Sequence, residues 1–194
     1  MPRDYDGTII LLRHGETAWN AAGRFQGKLD SPLTERGAAQ SEALGRLLAA
    51  STGEVDAFFA SPLGRVRQTT SIVRSFGHYP DTVWDDRLAE VSIGSWDGLT
   101  DIDIDAGWPG HLDGASSFDW FFRSPDGESY EAAVVRVRAW LNDLRGVVVA
   151  VSHGLLGRII RGVYLGLPGE EALQLPVPQD VIWRLARGTV VALV

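Results

Sequence analysis

The chain contains no cysteine. Disulfides, thiolate nucleophiles and cysteine-ligated metal centres are therefore excluded. Lysine is almost absent as well, Lys28 being the single one among 18 basic residues. Cationic sites must be built almost entirely from arginine, whose planar fork matches phosphate and carboxylate geometry. Long apolar runs are also missing. The stretch "TIILL" at residues 8–12 is too short for a membrane span or a signal-peptide core. A soluble, cytoplasmic protein with no membrane partner is the expectation. There is no excess of positive charge, since the net charge is -7 and the pI about 5.0. That balance argues against a nucleic-acid binder, while leaving room for a local basic pocket. No internal repeat or low-complexity tract interrupts the chain.

What is present is an ordinary globular composition, 194 residues with 45% hydrophobic and 22% charged. That suits a single domain over residues 1–194 with a substantial core. Residues 8–12 read as a buried strand. A helix should start from Thr34 as N-cap, with Leu44, Leu47 and Leu48 on its apolar face. "VDAFFAS" (55–61) reads as a strand, and "PLGRVRQTTSIVRSF" (62–76) as a helix opening on proline. Ser129 should cap a helix that Gly146 stops. "VVVAVS" (147–152) is the clearest buried strand, and a helix follows in "GLLGRIIRGVYLG". "VIWRLARGTVVALV" suggests a hairpin about a glycine turn. The middle, residues 99–127, is rich in Asp, Gly and aromatics and reads as a substrate-cap excursion with one short helix. Strands alternating with helices predict a three-layer α/β/α sandwich around a mostly parallel sheet.

Ligands of such sheets bind at the carboxyl ends of the strands. "RHG" (13–15) and "SHG" (152–154) each put histidine before glycine at a strand end, so His14 and His153 should face one pocket. Two histidines merely hydrogen-bonded in loops are the plain alternative, weakened by Arg13 beside His14. A metal centre is disfavoured because Arg13 would oppose a cation and no HxH or HExxH spacing is present. Arg65, in "SPLGRVRQT" (61–69), opens a helix after a strand, where free N–H groups favour an anion. Arg67 reads as a surface residue.

"LLRHGETAWN", "GRFQGKLDSPLTERGAAQ", "SPLGRVRQT", "LAEVSIGSWDGLT", "GES" and "VSHG" occur in this order between Ile9 and His153. Together they resemble the histidine phosphatase superfamily, the phosphoglycerate-mutase-like group. The resemblance implies a phosphohistidine mechanism without metal or cofactor. Residue by residue, His14 resembles the nucleophile and Glu90 the proton donor. Arg13, Arg65 and His153 resemble the phosphate-binding groups, and Asn20 and Gln26 match polar positions at or beside the phosphate. Gly94, Trp96 and Gly98 match the frame around Glu90.

The residue types suit that chemistry. A neutral imidazole nitrogen can attack phosphorus, and arginines with a donor histidine can stabilise the charge on the equatorial oxygens. Positive neighbours should keep His14 unprotonated. Glu16 reads as a loop-ordering group, and Glu128 as a pocket neighbour or part of the Ser129 cap. His78 and His111 should face solvent, while Trp19 and Trp96 should lie nearest the site. Residues 99–127 hold Asp101, Asp103, Asp105, Asp113, Asp119 and Asp126 against Arg123 and His111. Such an acidic cap would disfavour a multiply anionic substrate. Its aromatics, Trp108, Phe118, Trp120, Phe121 and Phe122, should set specificity. The expected function is a histidine acid phosphatase-type phosphomonoesterase acting on a small phosphate ester. The alternatives are mutase-type phosphoryl transfer and a non-catalytic phosphate-binding module. A homodimer is compatible with this reading.

Overall fold

The computed structural model describes residues 7–116 and 119–194. Six strands form one sheet in the order β3-β2-β4-β1-β5-β6. They are β1 (Thr8–Arg13), β2 (Ala57–Ala60), β3 (Thr82–Trp84), β4 (Val147–Ser152), β5 (Ile182–Ala186) and β6 (Thr189–Leu193). β1 runs parallel to β4, β4 to β2 and β2 to β3; β5 is antiparallel to β1, and β6 to β5. The helices are α1 (Ala18–Ala21), α2 (Glu35–Ser51), α3 (Gly64–Arg74), α4 (Asp101–Gly107), α5 (Tyr130–Asp143), α6 (Gly154–Leu165) and α7 (Gly169–Leu173). This is the expected three-layer α/β/α arrangement.

The pleat of the central strands divides the core in two, because successive side chains point to opposite faces. Ile9 and Leu11 of β1 with Val148 and Ala150 of β4 face one way. There they meet Val137, Trp140 and Leu141 of α5 and Leu156, Ile159 and Ile160 of α6. Ile10, Leu12, Val149 and Val151 face the other way, onto Leu44 and Leu48 of α2 and Val66 and Val73 of α3. Burial on both faces explains why β1 and β4 read as unbroken apolar runs. A third, smaller cluster gathers Ile93, Trp96 and Ile104 with Phe25, Trp108, Trp120 and Phe121.

The caps follow the sequence closely. Thr34 accepts from the Gly37 N–H at 3.0 Å and Ser129 from the Ala132 N–H at 3.1 Å. α5 ends at Asp143, and Gly146, with φ of 69°, serves the turn into β4 rather than the helix stop. β5 and β6 form the expected hairpin, with both Arg187 (φ 50°) and Gly188 (φ 72°) in the left-handed region that a tight two-residue turn requires. β3 was not legible as a strand, being three residues long. Among the described residues no helix is long and apolar enough to cross a membrane.

Trp140 is fully buried and edge-on to Phe59, and its indole N–H has no partner among the described residues. Trp140→Ala should lower the unfolding free energy by about 3–5 kcal/mol. Trp140→Phe should cost clearly less, because it also removes a buried unsatisfied donor. Urea unfolding would check this, and a loss under about 1 kcal/mol for the alanine variant would contradict the packing described.

Candidate active site

The register of β1 on β4 pairs Arg13 with Ser152. The His14 N–H donates to the Ser152 carbonyl at 3.1 Å, so the two strand ends leave the sheet side by side. The His14 and His153 rings consequently lie 5.3 Å apart, edge to face. Glycine follows each histidine for a steric reason. A Cβ at Gly15 would stand 2.2 Å from the Gly37 carbonyl oxygen, and one at Gly154 would stand 3.2 Å from the Arg13 guanidinium carbon. Both contacts are tighter than ordinary packing tolerates.

Hydrogen bonding assigns the proton on the His14 ring. His14 Nδ1 lies 2.7 Å from the Gly15 carbonyl oxygen, which can only accept. Nδ1 therefore carries the hydrogen, and Nε2 keeps its lone pair. His153 Nε2 lies 2.8 Å from Ser61 Oγ. That oxygen also accepts from the Leu63 N–H at 3.3 Å, and its second lone pair and its hydrogen both remain for His153 Nε2. Both rings are buried, at 2% and 1% exposure. Burial first, then Arg13 and Arg65, hold His14 well below 6.5. Burial, then Arg65, His14 and Arg13, do the same to His153. Both are neutral at pH 7.

Two guanidinium groups close on the same point. Arg13 donates through Nη1 to the Val177 carbonyl, and burial pulls its pKa down to about 10 against the opposing pull of Glu90. Arg65, 1% exposed, donates from Nη1 to Leu29 O at 2.6 Å and Asp30 Oδ1 at 2.9 Å, and from Nη2 to Gly27 O at 2.8 Å. Asp30 also accepts from the Gly64 and Arg65 N–H groups at 2.7 and 3.1 Å, so one carboxylate caps α3 and aims its first arginine. Arg13 Nε and Arg65 Nε are buried donors with no hydrogen-bond partner among the described residues, and His153 Nδ1 is likewise without one. Buried donors are normally paired. Two left open on residues that line one cleft with His14 form a socket for an acceptor-rich anion.

Glu90 stands on the same cleft. Its Oε1 accepts from Val91 N at 3.0 Å and Leu156 N at 2.9 Å, and its Oε2 from Leu155 N at 3.2 Å. The carboxylate is thus locked onto the N-terminus of α6. The cleft, about 310 Å³, is lined by Arg13, His14, Asn20, Gln26, Arg65 and Glu90 among the residues expected from the sequence. His153, whose ring adjoins that of His14, does not line the cleft. Gln26 is buried and accepts from Ser31 Oγ at 3.3 Å.

Other expectations need correction. The six aspartates of residues 99–127 do not line the cleft. Asp103 caps α4, Asp119 and Asp126 bind nearby serines and, for Asp119, Arg123. Of the cap aromatics only Phe121 reaches the cleft; Trp120 is sandwiched behind it, 3.8 Å from Phe121 and 4.2 Å from Phe25. Trp108 packs on the buried Trp96, Phe122 on Tyr130, and Phe118 lies outside the described residues. Trp19 and Trp96 are not on the cleft wall either. Arg24, Phe25, Arg158 and Val177 do line it and were missed. For Arg158 a signal existed: it follows Gly154 by four residues, one helical turn along the same face.

Most of the supporting residues behave as read, Glu128 being the exception. Glu16 accepts from Thr34 Oγ1 at 2.8 Å and orders the loop. Glu128 pairs with Arg136 at 2.6 Å, and Arg136 in turn holds the Arg87 and Ala89 carbonyls next to Glu90. Arg67 lies over the Trp84 ring. His78 and His111 are exposed. Among the described residues no group of three or more His, Asp or Glu is placed to hold a metal ion.

The chain is similar to known proteins over most of its length. The family model described as histidine phosphatase superfamily (branch 1) matches residues 9–187. A protein of Enterobacter sp. (strain 638) named "Probable phosphoglycerate mutase GpmB" is 36% identical over 179 residues, 86% of this chain and 80% of that one. Among solved structures, YhfR of Bacillus stearothermophilus superposes with a TM-score of 0.82 at 28% identity, covering 96% of this chain and 95% of that one. The α-ribazole phosphatase of Shigella flexneri gives 0.82 at 26% identity, with 96% and 95% covered. The mycobacterial glucosyl-3-phosphoglycerate phosphatase complexed with VO3 gives 0.77 at 27% identity, with 92% and 90% covered.

The two buried neutral histidines make stability depend on pH. Folded, both titrate below 6.5; unfolded, they titrate near about 6.5. Below that pH the unfolded chain takes up protons that the native state refuses. Their contribution is therefore complete above about 6.5 and is lost as pH falls, by up to about 1.4 kcal/mol per pH unit for each ring. Urea unfolding between pH 7 and 5 should show this fall, and His14→Asn should flatten it. Stability that is level or rises on acidification would contradict the assignment.

Proposed function

The chain belongs to the histidine phosphatase superfamily, and from that premise we propose that it hydrolyses a small phosphate monoester through a phosphohistidine, without a metal ion. The observation that carries this reading is the pair of open guanidinium donors, Arg13 Nε and Arg65 Nε, on residues that line one cleft with His14, whose Nε2 is unprotonated. In the first step Nε2 forms a bond to phosphorus in line with the ester oxygen, and the P–O bond to the leaving group breaks. Arg13 and Arg65 take the equatorial oxygens, where charge is greatest in the transition state, and His153 adjoins the His14 ring. Glu90 gives its proton to the departing oxygen. In the second step the Glu90 carboxylate removes a proton from water, the water oxygen attacks phosphorus, and the N–P bond breaks to release phosphate. Such acid–base assistance is worth roughly 10²–10⁴-fold. Asn20 and Gln26 line the socket as further polar contacts.

The leaving group must fit the rest of the cleft. Phe25, Val91, Ile93, Phe121, Leu155 and Val177 form apolar wall there. A compact ester with an apolar portion buries against these side chains, whereas a three-carbon hydroxy acid would leave them unmatched. This favours a phosphatase over the mutase-type transfer suggested by the name of the Enterobacter relative. The second reading keeps one observation in its favour. Arg24 and Arg158 also line the cleft, and a guanidinium there could take a substrate carboxylate.

Wild-type protein should hydrolyse p-nitrophenyl phosphate equally well with and without EDTA, and acid quench should trap a phosphoenzyme. His14→Ala should abolish both turnover and trapping. Glu90→Gln should slow alkyl phosphates at least ten-fold more than aryl phosphates, whose leaving groups need less protonation. Equal losses on the two would remove Glu90 from the acid role, and loss of activity in EDTA would contradict the metal-free route. Incubation with 3-phosphoglycerate and 2,3-bisphosphoglycerate should yield free phosphate; rapid formation of 2-phosphoglycerate without it would make the mutase reading correct.

A further inference from the structure

The segment joining α7 to β5, "QLPVPQD" (174–180), makes contacts that the chemistry above does not use. Three arginines from two different elements bind three successive carbonyls. Arg158 Nε donates to Leu175 O at 2.8 Å, Arg161 Nη2 to Pro176 O at 2.5 Å, and Arg13 Nη1 to Val177 O. Arg161 is itself buried and stacked 4.2 Å over Trp183. Pro176 and Pro178 restrict the backbone between these anchors. The segment is therefore a strap, held along its length across the carboxyl end of the sheet, with Val177 on the cleft wall.

Gln179, at the end of the strap, points its amide nitrogen back into the nucleophile loop. Its Nε2 donates to the His14 carbonyl at 3.2 Å and to Asn20 Oδ1 at 3.2 Å. Asn20 Oδ1 also accepts from the Thr17 N–H at 3.3 Å. With two donors on its oxygen, the Asn20 amide cannot turn over without opposing like dipoles, so Nδ2 is the end left to face the cleft. An acceptor-only anion needs that N–H₂ end and would be repelled by the oxygen.

We propose that Gln179 is a positioning residue that sets the Asn20 amide for the phosphoryl group and that the arginine-held strap exists to keep it there. The proposal rests on the reading of the cleft as a phosphate-ester site. It assigns to a segment more than 150 residues along the chain from the nucleophile loop a role in phosphate affinity without contact to phosphate.

A double-mutant cycle with two readouts tests this: kcat/KM on p-nitrophenyl phosphate, and inhibition by vanadate. Gln179→Ala should reduce kcat/KM and weaken vanadate binding, each by about ten-fold, the usual scale for losing one hydrogen bond to a charged group. Gln179→Glu, which keeps the shape but offers oxygens to two oxygens, should do at least as much. In an Asn20→Ala background the same Gln179 substitutions should cost less than about two-fold, because the group they aim is gone. Full additivity with Asn20→Ala, or single variants with unchanged vanadate inhibition, would overturn the positioning role while leaving the phosphatase reading intact. Wild-type protein that neither turns over the ester nor binds vanadate would overturn that reading and the proposal with it. Should Gln179→Ala unfold, the Gln179→Glu arm of the cycle decides alone.

Discussion

The parallel pairing of β1 with β4 is the constraint on which the candidate site depends. Six consecutive residue pairs, from Thr8 with Val147 to Arg13 with Ser152, fix where both strands stop. A slip of one residue would turn every side chain to the opposite face. The two cores would then exchange their apolar sets for each other's, and Arg13 and His14 would no longer stand beside His153. The close packing of Ile9, Leu11, Val148 and Ala150 on one face and Ile10, Leu12, Val149 and Val151 on the other resists that slip. The geometry of the socket is therefore underwritten by the hydrophobic core, not by the polar groups that form it.

The polar groups carry a cost that the core must offset. Arg13, Arg65 and Arg161 are withdrawn from water, and burial is the largest influence on each of them, opposing the charge. Among the described residues only Arg65 of these three has a carboxylate in contact, Asp30 at 2.9 Å. The others are satisfied mainly by carbonyl oxygens of the strap, which accept hydrogen bonds without cancelling positive charge. The result is a buried positive region with donors left open. Such an arrangement is unfavourable for folding on its own and favourable for an incoming anion. The depressed pKa values of His14 and His153 have the same origin, so the feature that keeps the proposed nucleophile unprotonated also makes the fold sensitive to acid.

Much of this was legible in the chain. The order of the longer strands and helices, the Thr34 and Ser129 caps, the terminal hairpin and the convergence of His14 with His153 followed from local pattern and from where parallel sheets bind ligands, whereas the short α1 and α7 did not. What escaped reading has identifiable causes. β3 is a three-residue edge strand without a pattern of its own. In the middle segment, charge was legible but direction was not. Asp103, Asp119 and Asp126 turn to a helix cap and neighbouring serines, while among the described residues Phe121 alone of its aromatics reaches the cleft. Composition cannot report which way a side chain faces in an irregular stretch, because no periodicity constrains it.

The sequence by itself determined the layers, the two strand ends that carry histidine, and the residue types that could bind and attack a phosphoryl group. These are consequences of short-range order, of period two in strands and 3.6 in helices, and of glycine where no side chain fits. Tertiary structure alone decided the rest. It brought the His153 ring against Ser61, distant in sequence. It brought Glu90 onto the first turn of α6 and laid the strap over the strand ends. Each of these rests on a hydrogen bond between segments far apart in the chain. Such bonds are set by how the layers pack, and no local pattern records them.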